Sequence, residues 1–341
     1  MQNEITEPIE LLDEKGNLTS PGYAKKLYPI YHKPQTFKQR FHTKQWDYYY
    51  IGDQHHGLAL TIDDNGYMGL DSISFLDFDE KWEITKSMMQ FMTLGKKNLP
   101  ETSVTGDISA QSDKYVMTFY NNGTSRHLEG WMGKFRDKDV ITFNIDLTDI
   151  PEESMVIMTP FDKEGHYYYN QKINCMKASG EVIIGEDHYY FNDGAYATLD
   201  WGRGIWTYKN TWLWSSLSTE VDGVPFGFNL GYGFGDTSAA SENMLFYQGK
   251  AHKLEDVTFH IPQKDGKDDF MSPWTFTSSD DRVNLTFTPI LDRASKTDVG
   301  IICSDQHQVF GYFNGTCVLD DGKVIELKDK LSFAEKVYNK W

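Results

Sequence analysis

The chain has 341 residues, 15% of them aromatic, and a formal net charge of −17 from 33 basic and 50 acidic residues. That length is enough to bury one large core or two of ordinary size. The excess of negative charge argues against nucleic acid and anionic membranes as main partners, because both are polyanions.

Residues 1–45 form a polar stretch that begins the chain and is interrupted by several prolines. These are Pro8, Pro21, Pro29 and Pro34. Because proline breaks regular structure, the stretch predicts an extended lead-in that wraps around a folded body. Its first residues are acidic and lack an apolar segment, so they do not resemble a signal peptide.

The cysteines and the apolar runs indicate a cellular compartment. The three cysteines are scattered and form no CxxC pair, which predicts free thiols in a reducing environment and not a disulfide framework. No run approaches the roughly 20 apolar residues of a membrane span. We therefore expect a cytoplasmic protein without an integral membrane segment.

From Trp46 onward, short alternating runs are separated by turn signals. Residues Asp139 to Leu147 place apolar side chains on one face without a miss, and Val283 to Thr288 do the same. Period two with one apolar face predicts antiparallel sheet. Asp320-Asp321-Gly322 predicts a hairpin between two such runs.

Convincing helices are few, and the fold class follows from that. Glu80 to Phe91 and Leu331 to Trp341 are ambiguous short helix candidates. Many short antiparallel strands with tight turns predict an all-β sandwich or barrel. Strand signals resume after Pro160, so we expect a first β-barrel-like half over 46–160 and a second over 161–341.

An unusual glycine stripe follows the segment 199–214. In PFGFNLGYGFG, aromatic and aliphatic residues from Phe226 to Phe234 alternate with glycines and Asn229. Glycine weakens a strand, so the missing side chains make room either for a ligand or for a ring packed from a neighbouring strand. Packing is the favoured interpretation. The spacing lacks the βαβ context of a dinucleotide fingerprint, and no cofactor is expected.

Asp200 is the leading candidate for chemistry. In an extended LDWGRGIWTY segment, it shares one face with Gly202, Gly204 and Trp206. Desolvation in such a setting raises the pKa of a carboxyl group, which is how a general acid is made. If Arg203 instead pairs with Asp200, the carboxylate stays ionised and its role is structural.

Histidines offer a second proton carrier but no metal site. His307 titrates near neutrality when unperturbed and could move protons, although a structural hydrogen bond is the commoner role of a single strand histidine. The ten histidines include no HExxH motif and no HxH pair. A bound metal is therefore not expected.

Long motifs carry a family resemblance over nearly the whole chain. They include WDYYYI at Trp46, YYNQKINCM at Tyr168, LDWGRGIWTYKNTWLW at Leu199, GYGFGDTSAASENMLFY at Gly231 and FAEKVYNKW at Phe333. The chain resembles the family catalogued as domain of unknown function 2804. More distantly, that family is similar to calycin-like proteins of two lipocalin-type barrels, a group with carotenoid hydratases, tocopherol cyclases and AttH-like proteins.

The resemblance implies a double barrel with an apolar cavity for a small hydrophobic or amphipathic molecule. Its local basis is Asp200-Trp201 followed by Trp206, and here Gly-Arg-Gly lies between the tryptophans. Besides the candidate catalytic residues Asp200 and His307, the side chains expected at the ligand are Trp46, Asn170, Trp201, Arg203, Trp206, Trp212, Trp214, Asn229, Tyr232, Asp236 and Asn243.

Three functions stay open at this point. The first is an acid–base hydratase, isomerase or cyclase for an isoprenoid- or lipid-like substrate, with Asp200 donating a proton and indole faces stabilising a developing cation. The second is a non-catalytic carrier of a hydrophobic ligand. The third, less favoured, is a carbohydrate-active protein in which Asp200 pairs with Asp236 or Glu242. Nothing in the sequence indicates an oligomeric state.

Overall fold

The computed structural model describes residues 2–298, 300 and 302–340. Its first segment contains three short strands and one short helix: β1 (Ile9–Glu10), β2 (Gly22–Ala24), β3 (Pro29–Ile30) and α1 (Phe37–His42). The segment lies against the body, where the Tyr169 hydroxyl donates a 2.7 Å hydrogen bond to the Pro29 carbonyl. Thr36 and Gln39 form a capping box at the start of α1.

The next twelve strands belong to one large antiparallel sheet. They are β4 (Thr43–Gly52), β5 (His56–Asp64), β6 (Met68–Asp77), β7 (Trp82–Phe91), β8 (Ile108–Gln111), β9 (Tyr115–Asn121), β10 (Arg126–Arg136), β11 (Asp139–Thr148), β12 (Met155–Pro160), β13 (Tyr167–Ile184), β14 (Asp187–Phe191) and β15 (Tyr196–Ile205). Neighbours run in the order β7-β6-β5-β4-β15-β13-β11-β10-β9-β8, while β12 and β14 pair with β13, and β2 pairs with β12. The Gln90 amide donates to the Tyr115 hydroxyl at 2.8 Å, which joins β7 to β9 and curls the sheet toward closure.

The remaining strands build a second curled sheet and one separate hairpin. They are β16 (Lys209–Val221), β17 (Val224–Tyr232), β18 (Met244–Tyr247), β19 (Lys250–Lys253), β20 (Val257–His260), β21 (Gln263–Lys264), β22 (Lys267–Asp268), β23 (Trp274–Ser278), β24 (Val283–Asp298), β25 (Cys303–Val318) and β26 (Val324–Lys340). The sheet order is β19-β18-β17-β16-β26-β25-β24-β23-β20, and β21 pairs with β22 alone. The Phe259 amide donates to the Tyr232 hydroxyl at 3.0 Å, which links β20 back to β17.

These sheets confirm the all-β prediction and much of the strand pattern. Residues Asp139 to Leu147 lie in β11, and Val283 to Thr288 lie in β24. The Asp320-Asp321-Gly322 turn joins β25 to β26, which pair from Val318 opposite Val324.

Both helix candidates prove to be strands. Glu80 to Phe91 contains β7, which pairs with β6 over its whole length, and Leu331 to Lys340 lies within β26 between β16 and β25. Trp341 is outside the described residues. Pairing with neighbouring strands, on one side for β7 and on both sides for β26, overrides a weak helical pattern in these segments.

The change from the first sheet to the second falls between Ile205 and Lys209. The division predicted near residue 160 instead lies between β12 and β13, which pair with each other. Where the chain divides into separately folding halves stays a prediction.

Each sheet encloses its own apolar core, and their outer faces meet. Trp201 and Tyr49 belong to the first core, and Phe228 belongs to the second. Between the sheets, the Asn174 amide donates to the Ser216 hydroxyl at 2.8 Å and to the Leu217 carbonyl at 3.1 Å. We call this contact region the inter-sheet junction. No helix among the described residues is long and apolar enough to cross a membrane.

Candidate functional site

Successive side chains of β15 lie on opposite faces of the first sheet. Trp201 belongs to the first core, whereas Asp200 lies opposite Lys172 of β13 and Tyr48 of β4. Since successive strand residues face opposite sides, Asp200, Lys172 and Tyr48 share the face turned toward the second sheet. The junction therefore collects polar side chains from three neighbouring strands.

Asp200 is fully engaged by partners on its own sheet. Its Oδ2 forms an ion pair with the Lys172 ammonium at 2.7 Å, and its Oδ1 accepts a hydrogen bond from the Asn170 amide at 2.6 Å. Arg203, the alternative partner, pairs instead with Asp47 at 3.0 Å inside the first sheet. Charge-assisted contacts of this kind favour an ionised carboxylate that accepts hydrogen bonds, and not a carboxylic acid that donates a proton.

Lys172 connects this pair to the second sheet. Its Nζ lies 4.1 Å from the centre of the Trp214 ring. The Trp214 indole donates to Asn229 at 2.7 Å, and the Asn229 amide donates at 2.8 Å to the carbonyl of Glu242 and at 3.3 Å to its carboxylate. A cation over an indole face is worth more when both are shielded from water, as they are here.

Glu242 differs from Asp200 because no cation in the described part of the chain forms an ion pair with its carboxyl group. Among the described residues, no Lys, Arg or His nitrogen lies within 4.0 Å of it, and its hydrogen-bond donor is the Asn229 amide. Burial raises the pKa of Glu242, an effect that the Lys172 charge partly offsets. A buried carboxyl group without a counter-ion favours its protonated form, which is the form a general acid needs.

A small hollow lies beside Glu242. It has a volume of about 10 Å³ and is lined by Thr159, Tyr168, Gly231, Tyr232, Phe234, Thr237 and Glu242. That space holds about one water molecule. The hollow thus brings the protonatable carboxyl group next to space that a substrate could enlarge, whereas a bulky ligand must displace side chains to enter.

Aromatic rings extend outward from the hollow, which Phe234 lines. We call Trp46, Trp206, Trp212 and Phe234 the aromatic rim. Trp206 is central, with ring centres 4.8 Å from Phe234, 5.7 Å from Trp212 and 6.0 Å from Trp46. All four rings are only partly buried, so they are the side chains most able to move aside for a ligand.

A third buried carboxyl group at the junction belongs to Glu335 on β26. Its two oxygens accept hydrogen bonds from the Trp212 indole and the Gln308 amide, each at 2.9 Å. Burial raises the pKa of Glu335 as well. Because both oxygens already have donors within the protein, Glu335 positions the Trp212 ring of the rim.

Neighbouring side chains occupy the gaps that the glycines leave. A Cβ on Gly231 would lie 2.5 Å from a Glu242 carboxyl oxygen, and one on Gly227 would lie 2.7 Å from the Cys175 sulfur. A Cβ on Gly202 would overlap the Trp46 ring. The packing interpretation of the glycine stripe therefore holds, and one of the packed groups is the Glu242 carboxyl itself.

The structure keeps several expected site residues away from Asp200. The Arg203 guanidinium lies 4.2 Å from the Trp201 ring in the first core. His307 pairs with Asp292 at 2.7 Å and stacks on Phe270 at 4.0 Å. Neither side chain contacts Asp200 or its partners Lys172 and Asn170, because odd-numbered residues of β15 and β25 face away from the junction.

Three further expected residues lie on the second sheet and its loop. Asp236 is exposed and accepts the Ser238 amide at 2.9 Å. Asn243 accepts the Gly231 amide at 2.8 Å, and the Tyr232 hydroxyl accepts the Phe259 amide. Of these, only Tyr232 lines the hollow.

Sequence reasoning did not name Lys172 as a site residue and assigned Glu242 only to a carbohydrate site. One signal was present: Tyr168, Asn170, Lys172 and Asn174 share one parity in a β run, which is a polar row where an apolar face is usual. No sequence spacing could reveal Glu242, which follows an irregular loop and reaches Gly231 only in the fold. Among the described residues, no three His, Cys, Asp or Glu side chains are grouped to hold a metal ion.

Comparisons with known proteins identify a family and a fold. The family described as Domain of unknown function (DUF2804) matches residues 2–341, and no curated protein matches the chain. The AttH-like protein NE1406 of Nitrosomonas europaea has 10% sequence identity and a TM-score of 0.52, over 87% of this chain and 92% of that one. Kievitone hydratase of Nectria haematococca has 10% identity and a TM-score of 0.48, over 98% of each chain. The first of these likenesses shows the fold alone.

Proposed function

Since the chain belongs to the DUF2804 family, whose description carries no activity, we propose from the junction itself that the protein is an acid–base enzyme for a small, mainly apolar molecule. The reaction class is hydration, dehydration, isomerisation or cyclisation. One observation carries the proposal: Glu242 is a buried carboxyl group without a counter-ion among the described residues, and it lines a hollow together with aromatic residues.

Glu242 serves as the proton donor. Its raised pKa keeps the carboxyl protonated closer to neutral pH than an exposed glutamate, so it can give a proton to a bound substrate. This assignment replaces Asp200, whose oxygens are held by Lys172 and Asn170. Asp200 becomes a positioning residue that fixes the Lys172 ammonium.

The aromatic rim binds the apolar part of a substrate, and the polar side chains near Asp200 bind its polar end. Trp206 and Phe234 offer apolar ring surface for the body of a substrate. Lys172 and Asn170 offer polar groups for one end of it. A substrate with an apolar body and a single polar end therefore matches the junction better than a uniformly polar one.

A carrier function is the second candidate, and one observation favours it. Both oxygens of Asp200 have partners within the protein, as do those of Glu335, so two of the three buried carboxyl groups described at the junction are arranged for structure. A carrier needs the rim but does not need Glu242. The carbohydrate function is the least supported, because Glu242 is the single carboxylate among the residues that line the hollow.

Deuterium transfer separates enzyme from carrier without a known substrate. The protein is incubated in D₂O with a lipid extract of its expression host. Compounds that the protein retains are then released, and their masses are measured by mass spectrometry. An acid–base enzyme leaves deuterium on carbon in a retained compound, and Glu242→Gln abolishes that label. Exposed Glu152→Gln is the matched control and keeps it. Retention of an unlabelled compound by the native protein would establish the carrier instead.

A further inference from the structure

We infer that the inter-sheet junction stabilises a developing oxyanion and not a carbocation, and that its substrate is an α,β-unsaturated carbonyl compound or the corresponding β-hydroxy carbonyl compound. The inference rests on the proposed acid–base function and names its substrate class. It departs from the expectation that the tryptophan faces stabilise a cation.

The first observation is that a fixed cation already occupies the junction. The Lys172 side chain is 4% exposed, with the Asp200 carboxylate 2.7 Å from Nζ on one side and the Trp214 ring 4.1 Å away on another. An ammonium group has three N–H donors. The contacts with Asp200 and Trp214 leave a donor for the oxygen of a substrate.

The second observation is that the indole face most suited to a cation is taken. The ring of Trp214 faces Lys172, and its N–H is bound to Asn229. A carbocation at this place would meet the like charge of Lys172 in surroundings shielded from water, where repulsion is strong. The Asp200 carboxylate, which could offset that repulsion, is itself held 2.7 Å from the Lys172 ammonium.

The third observation is the link between this cation and an acid. The Trp214 ring lies against Lys172 and donates its N–H to Asn229, and the Asn229 amide donates to the Glu242 carboxyl group at 3.3 Å. A fixed positive group for an oxygen and a protonated carboxyl group for a carbon are the two parts that an enolate mechanism needs.

The reaction balances without an oxidant or reductant. Water forms a C–O bond at the β-carbon, and the C=C electron pair shifts so that the carbonyl oxygen becomes an enolate oxyanion beside Lys172. The enolate re-forms its C=O bond as the α-carbon takes the proton of Glu242. The added water oxygen then gives its extra proton to the Glu242 carboxylate, which restores the acid. One water is added in total, and the reverse sequence removes it.

Two small probes of opposite charge test the inference directly. 4-Nitrophenol mimics an enolate because its phenolate carries the charge on oxygen, and its absorbance shows whether it is bound ionised. Benzyltrimethylammonium mimics a carbocation of similar size. We expect the protein to bind 4-nitrophenol as the phenolate at a pH below the pKa of the free phenol, at least tenfold more tightly than benzyltrimethylammonium.

Variants of the cation provide the controls. Lys172→Arg keeps a positive charge and should retain the phenolate absorbance. The double variant Lys172→Met with Asp200→Asn removes both charges of the ion pair and should lose that absorbance. Circular dichroism verifies that the double variant is folded. Tighter binding of benzyltrimethylammonium, or binding of 4-nitrophenol without ionisation, would overturn the inference while leaving the acid–base function standing. If neither probe binds, the junction is not a small-molecule site, and both this inference and the proposed function are contradicted.

Discussion

Lys172 and Asp200 lie directly opposite each other on β13 and β15, with 2.7 Å between Nζ and Oδ2. The pair is almost fully removed from water, with side chains 4% and 11% exposed. From one sheet it reaches the Trp214 ring of the other, so it also contributes to how the two curled sheets pack. The behaviour of variants at these positions follows from that arrangement.

Lys172→Met should destabilise the protein by about 3 kcal/mol, because it leaves the Asp200 carboxylate buried without its cation. The double variant Lys172→Met with Asp200→Asn removes both charges and should regain most of that loss. Urea unfolding of the native protein and both variants measures this. An equal loss in the single and double variants would show that the ion pair has no energetic role.

Arg203→Lys should destabilise the protein by about 2 kcal/mol or more without altering small-molecule binding at the junction. The guanidinium bonds Asp47 and the carbonyls of Trp46, Gly202 and Pro100, and a lysine cannot reproduce that planar set of donors. Arg136→Lys, at a partly exposed arginine, serves as the control. If the affinity for 4-nitrophenol changes while stability does not, Arg203 is a ligand-binding residue after all.

Glu242→Gln and Glu335→Gln should each make stability less dependent on pH. The folded pKa of both groups is raised by burial above the ordinary value of 4.5. The stability that each acid contributes is therefore complete below pH 4.5 and is lost as the pH rises through the folded pKa. Urea unfolding at pH 4.5 and pH 8 should show a smaller decline in either variant than in the native protein. Exposed Glu152→Gln, whose pKa is lowered by Lys250 and Lys26, should not reduce that decline.

Gly202→Ala should displace Trp46 from the rim and cost about 1–3 kcal/mol, because the added Cβ overlaps that ring. Tryptophan fluorescence and urea unfolding report the two effects. Gly133→Ala is the matched control on another strand, where the nearest atom to a new Cβ is 3.7 Å away. Unchanged fluorescence in Gly202→Ala would show that Trp46 is not held over this glycine.

Thiol labelling should proceed in two stages. Burial raises the pKa of Cys175 and of Cys317 to about 12, so neither forms the reactive thiolate near neutral pH, whereas Cys303 is partly exposed. We expect Ellman's reagent to label one cysteine of the native protein promptly and all three after denaturation. Prompt labelling of Cys175, found by peptide mapping, would contradict its place in the packed junction.

The sequence by itself determined the local elements of this protein. Alternation of apolar residues predicted strands such as β11, and a turn signal predicted the hairpin of β25 and β26, because a strand's pattern follows from which face it buries. The parity of β15 likewise placed Asp200 on the opposite face from Trp201. The sequence also showed a polar row around Lys172, though not what it contacts.

Only the tertiary structure decided which groups meet across the junction. Asp200 could pair with Arg203 or with another cation, and the register of β13 against β15 chose Lys172. Glu242 reaches the hollow because its carboxyl group lies over Gly231, and the ten residues between them, 232–241, fold back to bring the two together. Ionisation depends on such contacts between distant segments, since desolvation and neighbouring charge exist only once the two sheets have packed.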